Sequence, residues 1–333
     1  MSPLLIAALR VLAAVGLMLL NGVVLIYMLR KVLGHLHVRL GPTELGPAGM
    51  FQTTADVLKL LTKEDPTPGM VDRALYFLAP MIVFVPSLAA YAAMPFSSSI
   101  IAADLDAGLL FTFAILSLVP LGIFAAGWAS YNKWSLYGAM RSIAQQVTYE
   151  VPLLLAALPP VMIAGSINLA DIVRAQQGSV WFILPCLPAF LFFLIAGLIE
   201  ANQTPFDMSE AESELVAGFA TEYASMKFGL LFLSEFSNTF IFSALMVTLF
   251  FGGWTLPFVP DAVLAGIGGA VVFMLKTYLV IAVLMWIRGT LPRVRIDQLL
   301  SLGWKVLLPA TLVWIVVTGL FVKLSPLVFG GGS

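Results

Sequence analysis

Residues 200–235 read EANQTPFDMSEAESELVAGFATEYASMKFGLLFLSE. Seven of the chain's 18 acidic residues stand here: Glu200, Asp207, Glu210, Glu212, Glu214, Glu222 and Glu235. The only basic residue among them is Lys227. Apolar runs flank the stretch on both sides, in a chain that is 60% hydrophobic and 11% charged. A soluble domain is about a quarter charged, so the flanks read as membrane spans and the acidic stretch as the segment joining two of them. Asp207, with Glu210 three residues on, has the spacing of a capping box and predicts a helix starting there. On such a helix Asp207, Glu210, Glu214 and Glu222 share roughly a 120° arc, with Glu212 outside it. Carboxylates crowded at a membrane boundary repel one another, and desolvation favours their neutral forms. Such a cluster can hold protons near neutral pH and release them when a nearby charge changes. The plainer reading is a solvated acidic loop. Leu215, Val216, Phe219 and the run from Phe228 to Leu233 interleave it with apolar residues and argue against that.

Outward from this stretch, runs of roughly 20 apolar residues predict an all-α polytopic membrane protein. Eight spans are expected, at about 4–28, 75–94, 109–129, 151–165, 182–199, 237–254, 263–286 and 305–324. Residues 1–333 read as a single integral membrane domain, with 200–236 as its long acidic helical loop. The fourth run is short, and Pro152, Pro159 and Pro160 leave its boundaries and a kink open. The first apolar run is too long for a cleavable signal and is followed by Arg30 and Lys31. The loops after spans 1, 3, 5 and 7, with Lys305 at the last boundary, hold 13 of the 17 basic residues. The positive-inside rule therefore puts both termini outside and the acidic stretch on the cytoplasmic side.

In the first of these loops, residues 48–63 predict an amphipathic helix lying in the interface. Phe51, Ala55, Leu58 and Leu61 form its apolar stripe; Gln52, Asp56, Lys59 and Lys63 form the polar one. A plain surface anchor fits the same pattern.

Several chemistries have no support. There is no phosphate-binding glycine loop, zinc spacing or nucleophile elbow. One Cys186 builds no disulfide framework, and His35 and His37 read as interface residues, so no metal site is expected. A net charge of −1 gives no sign of nucleic-acid binding. The glycine run at 266–270 reads as close helix packing. What remains are ionisable groups at membrane depth: Glu150 at the start of span 4, Glu200 and Glu235 flanking spans 5 and 6, and Lys276 within span 7. Lys276 serves either in a proton relay or in a salt bridge between helices. Arg288, Arg293 and Arg295 stand in the last loop on the acidic side, within reach of carboxylate pairing. These residues describe a polytopic protein with a boundary carboxylate relay, which fits a proton-coupled transporter or a subunit of a redox pump. No internal repeat supports the transporter.

Five segments carry a resemblance: 39–64, RLGPTELGPAGMFQTTADVLKLLTKE; 127–153, GWASYNKWSLYGAMRSIAQQVTYEVPL; 205–235; 243–254, SALMVTLFFGGW; and 291–309, LPRVRIDQLLSLGWKVLLP. They resemble the H subunit of bacterial NADH–quinone oxidoreductase, respiratory complex I. Related subunits of membrane-bound hydrogenases and of ferredoxin- or deazaflavin-linked complexes share part of these motifs. The resemblance implies a chain in the bacterial inner membrane that docks an electron-carrying hydrophilic arm and forms the membrane side of a quinone cavity. Ubiquinone or menaquinone would be the substrate. Iron–sulfur clusters and FMN would belong to partner subunits, with small membrane subunits and antiporter-like subunits as further partners.

By matching positions, Arg30, Arg39, Asp56, Lys59, Phe228, Arg288, Arg293 and Arg295 would line or support the cavity. Glu150, Glu200, Asp207, Glu210, Glu212, Glu214, Glu222, Glu235 and Lys276 would form the proton relay. Leu29 replaces a common glutamate of the family, Gln203 a common arginine and Ile296 a common tyrosine, changes that alter the electrostatics of the cavity.

Overall fold

A computed structural model describes residues 3–177, 180–209, 212–257, 259, 264 and 266–329. In chain order the helices are α1 (Pro3–Leu36), α2 (Gln52–Thr62), α3 (Arg73–Ala93), α4 (Gly108–Leu116), α5 (Val119–Ala129), α6 (Lys133–Ala164) and α7 (Leu169–Ala175). There follow α8 (Leu187–Glu200), α9 (Glu212–Leu215), α10 (Ser225–Phe250), α11 (Ile267–Thr290), α12 (Ile296–Leu302) and α13 (Leu308–Phe329). Among the described residues, seven helices are long and apolar enough to cross a membrane, with α4–α5 and α12–α13 each counting as one. The chain is a multi-pass membrane protein of the expected class.

Two expected spans differ. The run at 182–199 yields α8, a 14-residue helix. It rises about 21 Å, short of a hydrocarbon core of roughly 30 Å. The run at 151–165 is only the second half of α6, a helix of 32 residues that continues through all three prolines. Asn132 starts α6 by accepting from the Trp134 amide at 3.0 Å, and Gly165 ends it at a φ of 70°. Glu150 therefore lies inside a helix rather than at the head of one.

The bundle is built around α10. Every residue from Phe236 to Phe250 is buried, and the helix packs against α1, α2, α3, α6, α7, α8 and α11. A helix enclosed on all sides must satisfy its own polar side chains. Ser234, Ser237, Thr239, Ser243 and Thr248 donate to carbonyls four residues back, and Asn238 accepts from Ser87 of α3 at 2.7 Å. Glu235, expected before this span, lies ten residues inside the helix.

At the far end of α10 the chain leaves helical geometry while still buried, with Gly252 and Gly253 at positive φ. Lys276 reaches across from α11. Its Nζ donates to the carbonyl oxygens of Phe251 at 2.7 Å, Gly253 at 3.0 Å and Thr255 at 2.5 Å. The ring of Trp181 lies 4.4 Å away. An ammonium at a helix C-terminus meets both orphan carbonyls and the negative end of the macrodipole.

The acidic loop is not the long helix the capping-box spacing predicts. Asp207 lies outside any helix and is paired with Arg293 across the fold. Among the described residues, the loop's helical parts before α10 are the single turn α9 and a 3-10 turn, Gly218–Ala220. Val216 and Gly218 then take positive φ and turn the chain, and α10 begins at Ser225. Asp207, Glu214 and Glu222 thus share no helix face. Glu210 and the side chain of Glu212 lie outside the described residues.

The amphipathic helix α2 follows a single 3-10 turn, Pro47–Gly49. Phe51, Leu58 and Leu61 of its apolar stripe are exposed, as suits a helix seated in a membrane surface. Two ties hold it to α10. Ser225 donates from Oγ to the carbonyls of Leu60 at 2.9 Å and Lys63 at 3.0 Å. Lys227 Nζ stands 2.9 Å from Asp65 and over the rings of Phe77 (3.8 Å) and Tyr76 (4.7 Å).

Lys276→Met removes the donors at the end of α10. Each buried carbonyl left without a partner costs about 1–3 kcal/mol, so the thermal midpoint of the detergent-solubilised assembly falls, and Lys276→Gln recovers part of the loss. An unchanged midpoint for Lys276→Met would show that the carbonyls have other partners. Ser225→Ala releases the end of α2. Trypsin cleavage after Lys63 then becomes several-fold faster; an unchanged rate would mean that the two hydrogen bonds do not hold the helix.

Candidate functional site

A cleft of about 520 Å³ opens between α1, α2, the 217–224 segment and the first turns of α10. At its rim Arg30 NH1 and Asp56 Oδ2 are 2.5 Å apart, with side chains 41% and 36% exposed. Gln52 holds the other Asp56 oxygen at 3.4 Å. An ion pair this exposed contributes little to stability, so it is free to trade partners with a polar group that enters. Behind it the walls turn apolar and aromatic, through Ile26, Tyr223, Phe228 and Phe232. The result is a polar rim over an apolar slot, the form of a site for an amphiphilic molecule.

The 217–224 wall is held by packing as much as by bonds. Gly138 of α6 admits it closely: a Cβ there would lie 2.8 Å from the Phe219 amide nitrogen. Ser135 donates to the Phe219 carbonyl at 2.9 Å. The Tyr223 ring stacks on Tyr76 with centroids 4.4 Å apart, and the Tyr223 hydroxyl donates to the Tyr76 carbonyl at 3.3 Å. Burial, and then the neighbouring Tyr76, push the Tyr223 phenol above its ordinary range, so it remains a donor.

A second polar centre lies where α8, α10 and α11 meet. Gln203 is buried at its hub. Its Oε1 accepts from Arg288 at 2.6 Å, and its Nε2 donates to Glu235 at 3.1 Å and Thr239 at 3.2 Å. Arg288 itself stands 3.8 Å from Glu235. Gln203 therefore bridges a base and an acid whose own contact is the longer one. Nearby, Arg293 meets Asp207 at 3.1 Å, and the Val294 amide donates to the Pro205 carbonyl. Gln145 of α6 donates to the carbonyl of Ile199 at 2.6 Å and to Asn202 at 3.2 Å. Beside it Glu200 is 7% exposed, and its Oε2 has no hydrogen-bond partner among the described residues. A buried carboxylate oxygen in that condition is costly when charged.

The residues singled out by sequence thus divide. Arg30, Asp56, Lys59 and Phe228 line the cleft. Arg288 and Arg293 stand with the carboxylates instead. Arg39 is exposed in the turn after α1, and Arg295 is the exposed N-cap of α12. Glu200, Asp207 and Glu235 belong to the second centre, and Glu150 is part-buried on α6. Glu214 is paired with Arg141, and Glu222 accepts from Asn132 at 2.7 Å, both toward the α5–α6 turn. Lys276 is apart from all of them: its carbonyl partners begin 16 residues beyond Glu235, about 24 Å along α10.

The roles of Tyr223, Ser225 and Gln145 were not visible in the sequence. Lys227 had a signal, as the lone base in the acidic stretch.

The family model for NADH dehydrogenase matches residues 9–319. A relative from Geobacillus kaustophilus is 51% identical over 87% of this chain and 86% of its own length. One from Brevibacillus brevis is 48% identical over 90% and 88%, and one from Paraburkholderia phymatum 44% over 98% and 94%. All three are named as the H subunit of NADH-quinone oxidoreductase. With a match of this extent over the spans, the cleft and the buried carboxylates alike, the chain belongs to the NADH dehydrogenase family, as a membrane subunit of the H type.

Proposed function

We propose that this chain forms the membrane-side wall of a quinone site in an NADH–quinone oxidoreductase and links quinone reduction to proton movement. The observation that carries the reading is the cleft. It has a polar rim at Arg30 and Asp56, an aromatic slot behind, and one wall, α2, whose outer face is apolar and exposed. A quinone has that division: a polar ring with two carbonyl oxygens, and a long apolar tail. The tail enters from the bilayer past α2. The ring passes the rim, where Arg30 can donate to a carbonyl oxygen while Asp56 holds the guanidinium in place. The cleft is one stretch of the path, and reduction takes place against a partner subunit that carries the iron–sulfur clusters; FMN lies further along the electron-carrying arm. The chain supplies no redox group of its own.

Charge created by reduction acts on the second centre. At an effective dielectric of about 20, a unit charge 10 Å from a carboxylate changes its energy by roughly 1.7 kcal/mol, more than one pKa unit. Gln203 bridges Arg288 and Glu235, whose direct contact is a single long one, so Glu235 can gain or lose a proton without breaking a bidentate bridge. Glu200, Glu150 and Asp207 surround it as further stations, and antiporter-like subunits receive the change. The acidic face is the cytoplasmic one of a bacterial inner membrane, a side that the distribution of basic residues supports.

Asp56→Asn removes the anchor of Arg30. The exposed pair contributes on the order of 1 kcal/mol, so kcat/KM for quinone falls about fivefold in the assembled complex. Assembly at normal levels with wild-type kcat/KM would overturn the assignment of the rim. Glu235→Gln removes the acid and is expected to cut proton pumping in reconstituted vesicles about tenfold, with the complex intact on native gels. Full pumping by Glu235→Gln would take Glu235 out of the relay.

A further inference from the structure

At the end of the bundle away from the acidic loop there is a second large recess. It holds about 640 Å³ between α1, α3 and α4, and none of the residues discussed above lines it. Its walls include Ala14 of α1, Leu88, Ala89 and Ala92 of α3, Ala103, and Phe111 of α4. The alanines are what make it a trough: longer side chains at those positions would fill it. Val11 and Val85 at its edges are exposed, so the trough opens sideways, toward the surroundings of the bundle rather than into it.

One charged side chain stands on this recess. Arg10 lies at one end, and its NH1 donates to the Ala102 carbonyl at 3.0 Å. A guanidinium has five donors. Among the described residues Arg10 makes no ion pair. Asp104, two residues from Ala102, accepts instead from Asn168 at 2.8 Å.

The depth of Arg10 follows from the helix. Arg10 and Arg30 are 20 residues apart on α1, about 30 Å of helix. That is the thickness of a bilayer's hydrocarbon core. Arg30 belongs to the boundary marked by α2, so Arg10 stands at the opposite boundary, where headgroups lie. Beneath it an apolar trough runs into the hydrocarbon. A cation with spare donors at headgroup depth, above a groove for an apolar chain, matches one class of ligand in both parts.

We propose that this recess binds one anionic phospholipid, with its phosphate on the Arg10 guanidinium and an acyl chain in the alanine-lined trough. Guanidinium and phosphate suit each other as paired donors and acceptors. The assignment is independent of the quinone reading, because it concerns the other membrane boundary and residues with no part in the cleft. A transmembrane helix of a partner subunit is the competing occupant. It could fill the trough, but only one that ends there with its C-terminal carbonyls would meet the guanidinium, whereas a lipid phosphate brings paired acceptors and a formal charge.

The test uses the whole complex, washed in mild detergent and supplied with phosphatidylglycerol or phosphatidylcholine, with bound lipid counted by native mass spectrometry. The complex with the unaltered chain retains one more phosphatidylglycerol than a complex carrying Ala92→Phe, which fills the trough. Arg10→Ala weakens retention of phosphatidylglycerol at that site about fivefold, the worth of one basic residue near an anionic surface, and leaves phosphatidylcholine unchanged. Arg10→Lys loses less. Arg10 is exposed, so its variants do not depend on refolding a core. Equal lipid counts for the unaltered chain, Ala92→Phe and Arg10→Ala would overturn the proposal. So would a photoreactive side chain at position 89 that cross-links to protein instead of lipid.

Discussion

A helix buried on every side ends inside the protein, and its last carbonyls have no water to turn to. In hydrocarbon that is the costliest place to leave a polar group unpaired. α10 is such a helix: Gln176 Nε2 donates to the Thr248 carbonyl and the Ile183 amide to that of Phe250, and the ammonium of Lys276 takes the oxygens of Phe251, Gly253 and Thr255 in the turn beyond, beside an indole face. The rest of the bundle depends on this closure. Only with its far end sealed can α10 run buried from Phe236 to Phe250 and serve as the axis on which the neighbouring helices pack. The same physics explains why a charge within a span is not by itself a proton carrier. Lys276 meets the description of a functional intramembrane base by composition, yet its surroundings are those of a cap.

With the axis fixed, the two polar centres differ in how their charges are held. The Arg30–Asp56 pair is over a third exposed on both sides and is worth little as a tie. Its use lies in its availability. Glu235, Arg288 and Gln203 are mostly buried, where each contact counts for more because little water screens it. A neutral amide between acid and base is a compromise. It takes one of the arginine's donors and donates to one carboxylate oxygen, yet leaves the charge of the acid less firmly fixed than a bidentate pair would.

Much of the fold was legible, because span length and apolar run are direct consequences of bilayer thickness. The boundaries were less so. Pro152, Pro159 and Pro160 looked like an edge, yet in a packed membrane helix neighbours and Ser/Thr hydroxyls compensate for a missing donor, and α6 runs on through all three. The capping-box spacing at Asp207 did not open a long helix; Asp207 pairs with Arg293, 86 residues away, and local rules cannot weigh a remote cation. The division of the arginines between cleft and carboxylates was hidden for the same reason. Arg288 and Arg293 share a loop region with Arg295, but helix packing, not sequence distance, decides which of them turns inward. The tie of Ser225 to α2 left no trace at all, since a serine before an apolar run reads as an ordinary start signal.

That tie has a mechanical side. Ser225, which grips the end of α2, and Glu235, which sits in the buried network, are ten residues apart on one continuous helix, about 15 Å of stiff rod. Both ends of the rod are clamped, one by a serine and one by a lysine. A molecule that wedges the cleft open therefore strains against α2 and α10 together. Any tilt or rotation of the rod reaches Glu235 directly, with no intervening loop to absorb it. Occupancy of the slot and the geometry of a buried acid are in this way joined by stiffness as well as by charge.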